Sequence, residues 1–334
     1  MMAKYTNNFN VPLSAAAWVL HDSYDHEAKI DPNVFSVTEI LKPVRQIILN
    51  RRVAALPKEE QLPTDVSALF NSRMGQSVHT AVEETWLDKD RLPDILGYLG
   101  ISKFAASKIQ INPTPEELDP NGIFLYMEQR RTVEVNEKYK LTGQYDFNFN
   151  GQLEDFKYTK TYALTMGVND DYYAKQGSMY RFLFPDQVLS DTTNITFLFS
   201  DWMASRVGSK DYPANPIWSK QFPLMSPLNT RTFIDDKFEA IDFYMDKDEK
   251  DLPHCTSEEL WESPTVWKYY ANPENKARAT KNFDNAADAN AHLNEKGKGV
   301  IDEVKGEIKA CAYCPAFVLC TQKDKYLIEG RLKV

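Results

Sequence analysis

The spacing of apolar residues predicts a helix, three consecutive strands, a second helix and a further strand in the central part of the chain. Apolar positions recur at helical spacing from Asp65 to Leu87 and again from Asp170 to Phe184, where Pro185 stops the pattern. Runs rich in β-branched and aromatic residues predict strands near residues 122–135, 140–149, 152–161 and 194–203. This order predicts an α/β fold in which helices flank a central mixed sheet.

The two ends of the chain differ from this central part. Near the start, the segment from Ser36 to Arg52 predicts a helix that Ser36 caps and that Pro43 bends or interrupts. Beyond about residue 245 the sequence is charged and largely helical in pattern, and it contains all four cysteines. We therefore predict an N-terminal helical segment (1–60) that packs on a core domain (61–245), followed by a helical C-terminal extension (246–334).

Composition and charge describe an ordinary globular protein inside the cell. Hydrophobic residues make up 43% of the 334 positions, no apolar run approaches the roughly 18 residues of a membrane span, and the N-terminus lacks a secretory signal pattern. We expect a cytoplasmic protein without membrane contact, whose cysteines are metal ligands or buried thiols rather than disulfides. The net charge of −9 argues against a protein that coats nucleic acid, but not against an enzyme that grips phosphates in a local groove.

An Asn-Gly pair at 150–151 predicts a type I′ turn between the second and third strands. A two-residue loop at this pair sets a register in which Asp146 faces Asp155, while Lys157 projects from the same face. The reverse face collects aromatic side chains that are suited to packing: Tyr145, Phe147, Phe149, Phe156 and Tyr158. The hairpin therefore predicts one face that holds two acids and a lysine and another face that builds core.

Two carboxylates that face each other destabilise a sheet unless a proton or a cation neutralises the pair. Hard oxygen ligands at this separation suit Mg²⁺ or Mn²⁺, and the neighbouring Lys157 can orient a water or stabilise charge that develops on a phosphate. This pattern indicates metal-assisted hydrolysis of a phosphodiester. The alternative is a solvated hairpin, in which both acids point into water and Lys157 makes a surface ion pair.

The residues Gly143, Asp146, Asp155 and Lys157 form the pattern G-x-x-D…D-x-K, which resembles the core of the PD-(D/E)XK nuclease superfamily. Upstream, GQSVH resembles the helical G-x-x-x-H motif of the RecB-like exonuclease branch, and downstream KQGSMY is similar to its Q-x-x-x-Y motif. The resemblance covers roughly residues 36–325. It implies a restriction-endonuclease-like core of αβββαβ order.

The resemblance also implies roles for the motif residues in metal binding and water activation. His79, Asp146, Asp155 and the backbone carbonyl of Phe156 would hold one or two Mg²⁺ or Mn²⁺ ions. Lys157 would orient the attacking water.

Further residues are candidates for supporting roles. Gln176 and Tyr180, one helical turn apart, would position the DNA strand and the surroundings of the lysine. Glu128, on the preceding strand, is a candidate for an auxiliary acid. Glu154 is a competing acid, because a register slip of one residue would turn it toward the site and Asp155 away. The Asn-Gly turn argues against that slip.

Three of the four cysteines lie in one short run, as Cys311-x2-Cys314-x5-Cys320, and the fourth is Cys255. C-x2-C loops place two thiolates on one metal, and two further thiolates complete a tetrahedral set for Zn²⁺ or an iron–sulfur cluster. The run resembles the C-terminal cysteines of CRISPR-associated and AddB-type members of the RecB-like branch. That resemblance implies a structural [4Fe–4S] cluster, with a structural zinc site as the alternative. In those relatives the remote cysteine precedes the nuclease core, whereas Cys255 follows it.

The function that the resemblance implies is that of a metal-dependent DNA exonuclease of phage type, active in recombination, replication, repair or other DNA processing. DNA would be its substrate, recombination or replication proteins would be its partners, and the host cytoplasm would be its location if a phage encodes it. The alternative is a catalytically inactive protein that binds DNA ends or assists recombination and keeps the nuclease fold. A metal-dependent DNA digestion assay separates the two.

Overall fold

The computed structural model describes residues 5–21, 31–57 and 60–333, and these residues form the mixed α/β fold that the sequence predicts. Their α-helices are α1 (Leu13–Leu20), α2 (Val37–Ile40), α3 (Val44–Ala55), α4 (Phe70–Leu87), α5 (Leu92–Tyr98), α6 (Lys103–Ala106), α7 (Thr161–Met166), α8 (Asp170–Leu183), α9 (Pro227–Tyr244), α10 (Ala286–Lys296) and α11 (Gln322–Ile328). Their strands are β1 (Tyr5–Thr6), β2 (Val34–Ser36), β3 (Thr64–Asp65), β4 (Ile109–Ile111), β5 (Ile123–Glu134), β6 (Lys140–Phe149), β7 (Gln152–Thr159), β8 (Thr192–Phe199), β9 (Ile217–Pro223), β10 (Val266–Tyr270), β11 (Lys281–Phe283) and β12 (Val300–Val304).

The chain divides into two units. The first contains the described residues of Met1–Lys42 and Pro63–Glu239, and the second contains those of Pro43–Leu62 and Ala240–Val334. Within the part of the chain that the structure describes, no helix combines the length and the apolarity needed to cross a membrane.

A mixed sheet of seven strands forms the centre of the first unit among the described residues. Its strands follow the order β4-β5-β6-β7-β8-β9, and β2 pairs with the start of β6. The pairs β2–β6, β4–β5 and β7–β8 are parallel, and the other pairs are antiparallel. The predicted order of helix, three strands, helix and strand is present as α4, β5, β6, β7, α8 and β8. The strands β2, β4 and β9 are additions that the sequence did not predict.

Aromatic side chains pack helices on both faces of this sheet. On one face, Trp86 of α4 lies against Phe147 and Phe149 of β6, with ring centroids 5.5 and 6.2 Å apart. On the other face, Tyr173 of α8 lies 5.9 Å from Phe197 of β8. Burial of side chains of this size is a major source of stability. The prediction that helices flank a central mixed sheet is therefore confirmed.

The β6–β7 hairpin has the predicted turn. Asn150 and Gly151 both have positive φ, 50° and 90°, as a type I′ turn requires. The register is the predicted one as far as the pair Phe147–Glu154. The ladder ends there, so the two strands part at the next position on each side, where the two predicted aspartates lie.

The side chains of β6 do not keep the alternation predicted for a single aromatic face. Tyr145 packs on Tyr180 of α8, whereas Phe147, two residues later, packs on α4. The faces exchange at Asp146, which lies opposite Glu128 of β5; the ladder lacks a pair there, and Glu128 has a φ of 51°. The prediction that Tyr145 shares the face of Phe147 is therefore wrong. The side chains before and after this break in the ladder point to opposite faces of the sheet.

Ser36 and Pro43 divide the helix predicted for residues 36–52 into α2 and α3. Ser36 Oγ accepts a hydrogen bond from Glu39 N at 3.1 Å and caps α2. Pro43, which lacks an N–H and fixes its own φ, directly precedes α3. Since α2 belongs to the first unit and α3 to the second, the predicted N-terminal segment is divided; its residues 1–4, 22–30 and 58–59 lie outside the described residues.

The C-terminal extension needs a correction, because it is not the helical region predicted for 246–334. A three-stranded antiparallel sheet of order β11-β10-β12 lies in it, and α10 covers only part of the predicted helical stretch. Ring contacts join helix and sheet: the ring centroid of His292 in α10 lies 4.9 Å from that of Tyr269 and 5.2 Å from that of Phe283. The short runs VWKYY and VIDEV contain β-branched and aromatic residues that favour strands. These two runs pair with each other as β10 and β12, although the sequence between them has a largely helical pattern.

Candidate active site and cysteine centre

The hairpin brings both predicted aspartates and the lysine together where β6 and β7 part. Lys157 Nζ lies 2.5 Å from Asp155 Oδ2, and Asp146 Oδ2 accepts a hydrogen bond from the backbone N–H of Phe156 at 3.3 Å. The side chains of Asp146, Asp155 and Lys157 are 17%, 12% and 27% exposed. The acids therefore do not point into water, as the solvated-hairpin alternative requires.

Burial and mutual repulsion separate the proton affinities of the two aspartates. Burial, followed by the negative charge of Asp155, raises the pKa of Asp146 well above its usual value. Burial also opposes ionisation of Asp155, but the charge of Lys157 and hydrogen bonds from Asp146 and Lys157 outweigh it and lower the pKa of Asp155. In the metal-free protein, Asp146 therefore holds a proton more readily than Asp155 and shares it in a hydrogen bond. A cation in the site would replace that proton.

Lys157 stays protonated in this environment. Burial alone would lower its pKa, but the charges of Asp155 and Asp146 raise the pKa of Lys157 above its usual value. A protonated lysine has three donors and no acceptor. Lys157 can therefore donate hydrogen bonds and supply positive charge, but it cannot act as a general base.

On the α4 side of the sheet, His79, Glu128 and Asp146 each bring one possible ligand atom into a single group. These three atoms all lie within 4.8 Å of one another. His79 Nε2 lies 3.0 Å from the carbonyl oxygen of Phe156, and Nδ1 lies 3.4 Å from Asp146 Oδ1. Because a carbonyl only accepts, a neutral imidazole carries its proton on Nε2 and turns the lone pair of Nδ1 toward a carboxyl group. Two carboxylates and an imidazole nitrogen fit a divalent cation.

Glu128, predicted from the sequence as an auxiliary acid, lies at the centre of the site. It lies directly across from Asp146 at the break in the β5–β6 ladder, and Gln144 donates a hydrogen bond to its carboxylate. Burial raises the pKa of Glu128. Its φ of 51° is a conformation that costs a non-glycine residue about 1–3 kcal/mol and that occurs often at functional sites.

Glu83 is a candidate that the sequence reasoning missed. It lines the same small cavity as His79, Glu128 and Asp146, and its charge contributes to the raised pKa of Glu128. Glu83 lies four residues after His79 on α4. That spacing, which places both side chains on one helix face, was the signal available in the sequence.

On the α8 side, Gln176 and Tyr180 close the site from the opposite face of the sheet. They line a second small cavity together with Asp146 and Asp155. Gln176 Nε2 donates to the hydroxyl of Tyr180 at 3.2 Å, and Gln176 Oε1 is buried without a hydrogen-bond partner among the described residues. Burial, followed by the charges of Asp155 and Asp146, raises the pKa of Tyr180 well above its usual value. Tyr180 therefore stays neutral and can donate a hydrogen bond.

Glu154 does not take the place of Asp155. Its carboxylate accepts a hydrogen bond from Thr196 Oγ1 of β8, and the ladder pairs it with Phe147 in the unslipped register. The acid beside Lys157 is therefore Asp155.

All four cysteines lie within the second unit, where they form a second candidate site. Cys255 and Cys311 pack against one buried apolar cluster, and Cys314 and Cys320 pack against another. The four side chains are thiols that form no disulfide with one another. Burial, followed by nearby negative charges that include the sulfurs of Cys314 and Cys320, raises the pKa of Cys255 to about 12 and that of Cys311 to about 11. Cys314 and Cys320 therefore lie near enough to Cys255 and to Cys311 to influence their pKa, and a cation among these sulfurs would reverse the shifts.

Gln322 fixes the remote cysteine to the C-terminal run. The backbone N–H of Cys255 donates to Gln322 Oε1, and Gln322 Nε2 donates to the carbonyl of Cys255, each at 2.9 Å. Gln322 is itself buried, at 7% exposure. A buried side-chain amide that satisfies both backbone groups of Cys255 holds this residue in a defined place.

No protein-family model matches the chain, and no curated protein matches it. Among solved structures, the protein SSO0001 is similar with a TM-score of 0.37 and 12% identity, over 63% of this chain and 77% of that one. A phage-related exonuclease from Haemophilus somnus 129PT is similar with a TM-score of 0.25 and 14% identity, and the match spans 36% of this chain and 60% of the exonuclease. Both TM-scores are below 0.5, so neither likeness supports a function, and the function has to be argued from the site.

Proposed function

We propose that this protein is a metal-dependent nuclease that hydrolyses phosphodiester bonds in DNA. The observation that carries the proposal is the meeting of Asp146, Asp155 and Lys157 with His79 and Glu128 where β6 and β7 part. Buried carboxylates that face one another are costly unless a cation is bound among them. A site of this composition therefore has a functional explanation and no evident structural one.

The metal ligands would come from both sides of the break in the sheet. Asp146, Asp155, His79 and Glu128, with the carbonyl oxygen of Phe156, would hold one or two Mg²⁺ or Mn²⁺ ions. Such an ion, when bound, supplies positive charge for the scissile phosphate and lowers the pKa of its water.

The other groups act on the water and the phosphate. Lys157 donates to a water or to a phosphate oxygen, and the ionised Asp155 beside it accepts a hydrogen bond, so the pair can fix a water between a donor and an acceptor. Tyr180 and Gln176 approach from α8, where the neutral phenol and the unsatisfied amide oxygen offer one donor and one acceptor to a water in the small cavity that they line with Asp146 and Asp155.

The test is digestion of end-labelled linear DNA and of circular DNA with Mg²⁺ or Mn²⁺. We expect the wild type to cleave linear DNA and a chelator to abolish cleavage; resistance of circular DNA would indicate exonuclease action. Lys157→Ala removes a charged donor from the site, and we expect it to lower the rate about 10²–10³-fold.

Lys140→Ala is the matched control. Lys140 lies on β6, is exposed and pairs with Glu134, so its loss should leave the rate unchanged. Undiminished cleavage by Lys157→Ala would overturn the proposal. Wild-type protein that binds DNA ends without cleaving them would replace it with the DNA-end-binding alternative.

We also propose that the four cysteines hold a [4Fe–4S] cluster, with zinc as the alternative. Four thiols that lie in one unit, influence each other's pKa and pack against apolar side chains support a four-thiolate centre. The resemblance of the cysteine run to that of the RecB-like branch favours the cluster over zinc. Visible absorbance with iron and sulfide analysis tests this proposal, and a colourless preparation that contains zinc would contradict it.

A further inference from the structure

Arg45 is among the most deeply buried side chains of the described residues, at 2% exposure. A guanidinium keeps its charge in a protein, so a buried one needs partners for its donors. One terminal nitrogen donates to the carbonyl oxygens of Glu249 and Leu252 at 3.3 and 3.2 Å, and the other forms an ion pair with the Glu249 carboxylate. The third nitrogen, Nε, donates its hydrogen to the sulfur of Cys320 at 3.2 Å.

The contacts of Arg45 connect the two segments that carry the cysteines. The Glu249 carboxylate that pairs with Arg45 also accepts hydrogen bonds from the backbone N–H of Thr321 at 2.9 Å and from its hydroxyl at 2.7 Å. Arg45, Glu249, Thr321 and Cys320 therefore form a closed ring of contacts. The stretch that Arg45 holds through its carbonyl contacts leads directly to Cys255, so one guanidinium fixes both sides of the cysteine centre.

We infer that Arg45 is a positioning residue of the cysteine centre that also sets its reduction potential; this inference rests on the proposed iron–sulfur cluster. An N–H···S hydrogen bond and a buried positive charge both stabilise negative charge on the Cys320 sulfur. Reduction adds an electron to the cluster, so both contributions favour the reduced form and raise the potential. A lysine at position 45 keeps the charge but has no planar fork that serves sulfur, carboxylate and carbonyl groups together.

The test compares the midpoint potential of the cluster in full-length wild type, Arg45→Lys and Arg52→Lys. Arg52 is the matched control, because it lies on the same helix and donates to the carbonyls of Met245 and Lys247 rather than to a cysteine. We expect Arg45→Lys to lower the ratio of reduced to oxidised cluster at a fixed potential at least tenfold. For a one-electron couple this corresponds to a midpoint potential lower by about 59 mV. We expect Arg52→Lys to leave it unchanged. An unchanged potential in Arg45→Lys, or an equal shift in Arg52→Lys, overturns the inference.

Glu249→Gln covers the case in which Arg45→Lys purifies without a cluster. This variant keeps the Nε donor and removes the carboxylate that balances the guanidinium charge, so we expect the potential to rise; a fall or no change overturns the inference. Iron and sulfide analysis of the wild type comes first. Zinc in place of iron would overturn both the proposed cluster and the role of Arg45. If the wild type contains an iron–sulfur cluster and Arg45→Lys leaves its potential unchanged, only the role of Arg45 is overturned.

Discussion

Asp146 is a single residue of the candidate active site whose position lowers the stability of the folded protein when its carboxyl group is ionised. Its carboxyl group lies near two other acids, Asp155 and Glu128, and accepts a hydrogen bond from the backbone N–H of Phe156. Burial and those charges raise the pKa of Asp146. A cation would change this balance, because it neutralises the acids in place of a proton.

The pH dependence of stability follows from that raised pKa. The cost of burying Asp146 is absent below its unfolded-state pKa, grows as pH rises, and is complete at its folded-state pKa. We expect metal-free Asp146→Asn to melt at a higher temperature than the wild type at pH 8, and this gain to shrink toward pH 5. Each unit of pKa shift corresponds to about 1.4 kcal/mol.

Calorimetry of the metal-free proteins at both pH values checks this expectation. Asp90→Asn, at an exposed turn, is the control and should change the melting temperature little. Added Mn²⁺ should stabilise the wild type more than Asp146→Asn. A lower melting temperature for metal-free Asp146→Asn at pH 8 would contradict the explanation.

At the scale of elements, the hairpin and the two helices around it place the site by close packing. Gly143 of β6, the first residue of the G-x-x-D pattern, lies where α2 and α8 approach the strand. A Cβ at this position would lie 2.7 Å from Leu183 Cδ1 and 2.8 Å from Val37 Cγ2. This glycine therefore has a packing reason, which is separate from the chemistry of the acids that follow it.

Gly143→Ala should destabilise the protein by about 1–3 kcal/mol, because the added methyl group has no room between the two helices. Urea denaturation measures the change. Gly97→Ala is the matched control: Gly97 lies in α5 with nothing within 4 Å of its virtual Cβ, and we expect it to stabilise the protein by about 0.5–1 kcal/mol. Equal stabilities for the two variants would show that the space around Gly143 can adapt.

At the scale of the whole molecule, the two units depend on different sources of stability. The first has a seven-stranded sheet with aromatic side chains on both faces. The second has a three-stranded sheet, short helices and four cysteines gathered between two small apolar clusters. Metal binding at four thiolates contributes on the order of 10 kcal/mol to folding in small domains. The second unit should therefore depend on its bound group, and the first should not.

Cys311→Ser should release the bound group and expose the second unit to proteases. Limited proteolysis with mapping of the cut sites should find early cuts within residues 240–334, while a fragment that covers residues 63–239 resists. Ala312→Ser, an exposed neighbour in the same turn, adds a hydroxyl without removing a sulfur and should digest like the wild type. Identical digestion of both variants would contradict a stabilising role for the cysteine centre.

Local patterns predicted the elements around the active site well. The runs at 122–135 and 140–149 became β5 and β6, and the Asn-Gly turn at 150–151 fixed the register of β6 and β7. The strands β2, β4 and β9 were not predicted, because each is short or lies at an edge and gains its hydrogen bonds from a distant partner. The C-terminal sheet was missed for the same reason.

The sequence by itself determined the turn, the register and the identity of the acids and the lysine, because a two-residue loop and a period of two are local properties of the chain. It also determined which cysteines are available. Only the tertiary structure decided that Glu128 takes a left-handed conformation across from Asp146, that Glu83 joins the same cavity, and that Arg45 reaches the sulfur of Cys320. These contacts join residues far apart in sequence, so local patterns cannot predict them. The burial that shifts the pKa values of these groups is likewise a property of the folded chain alone.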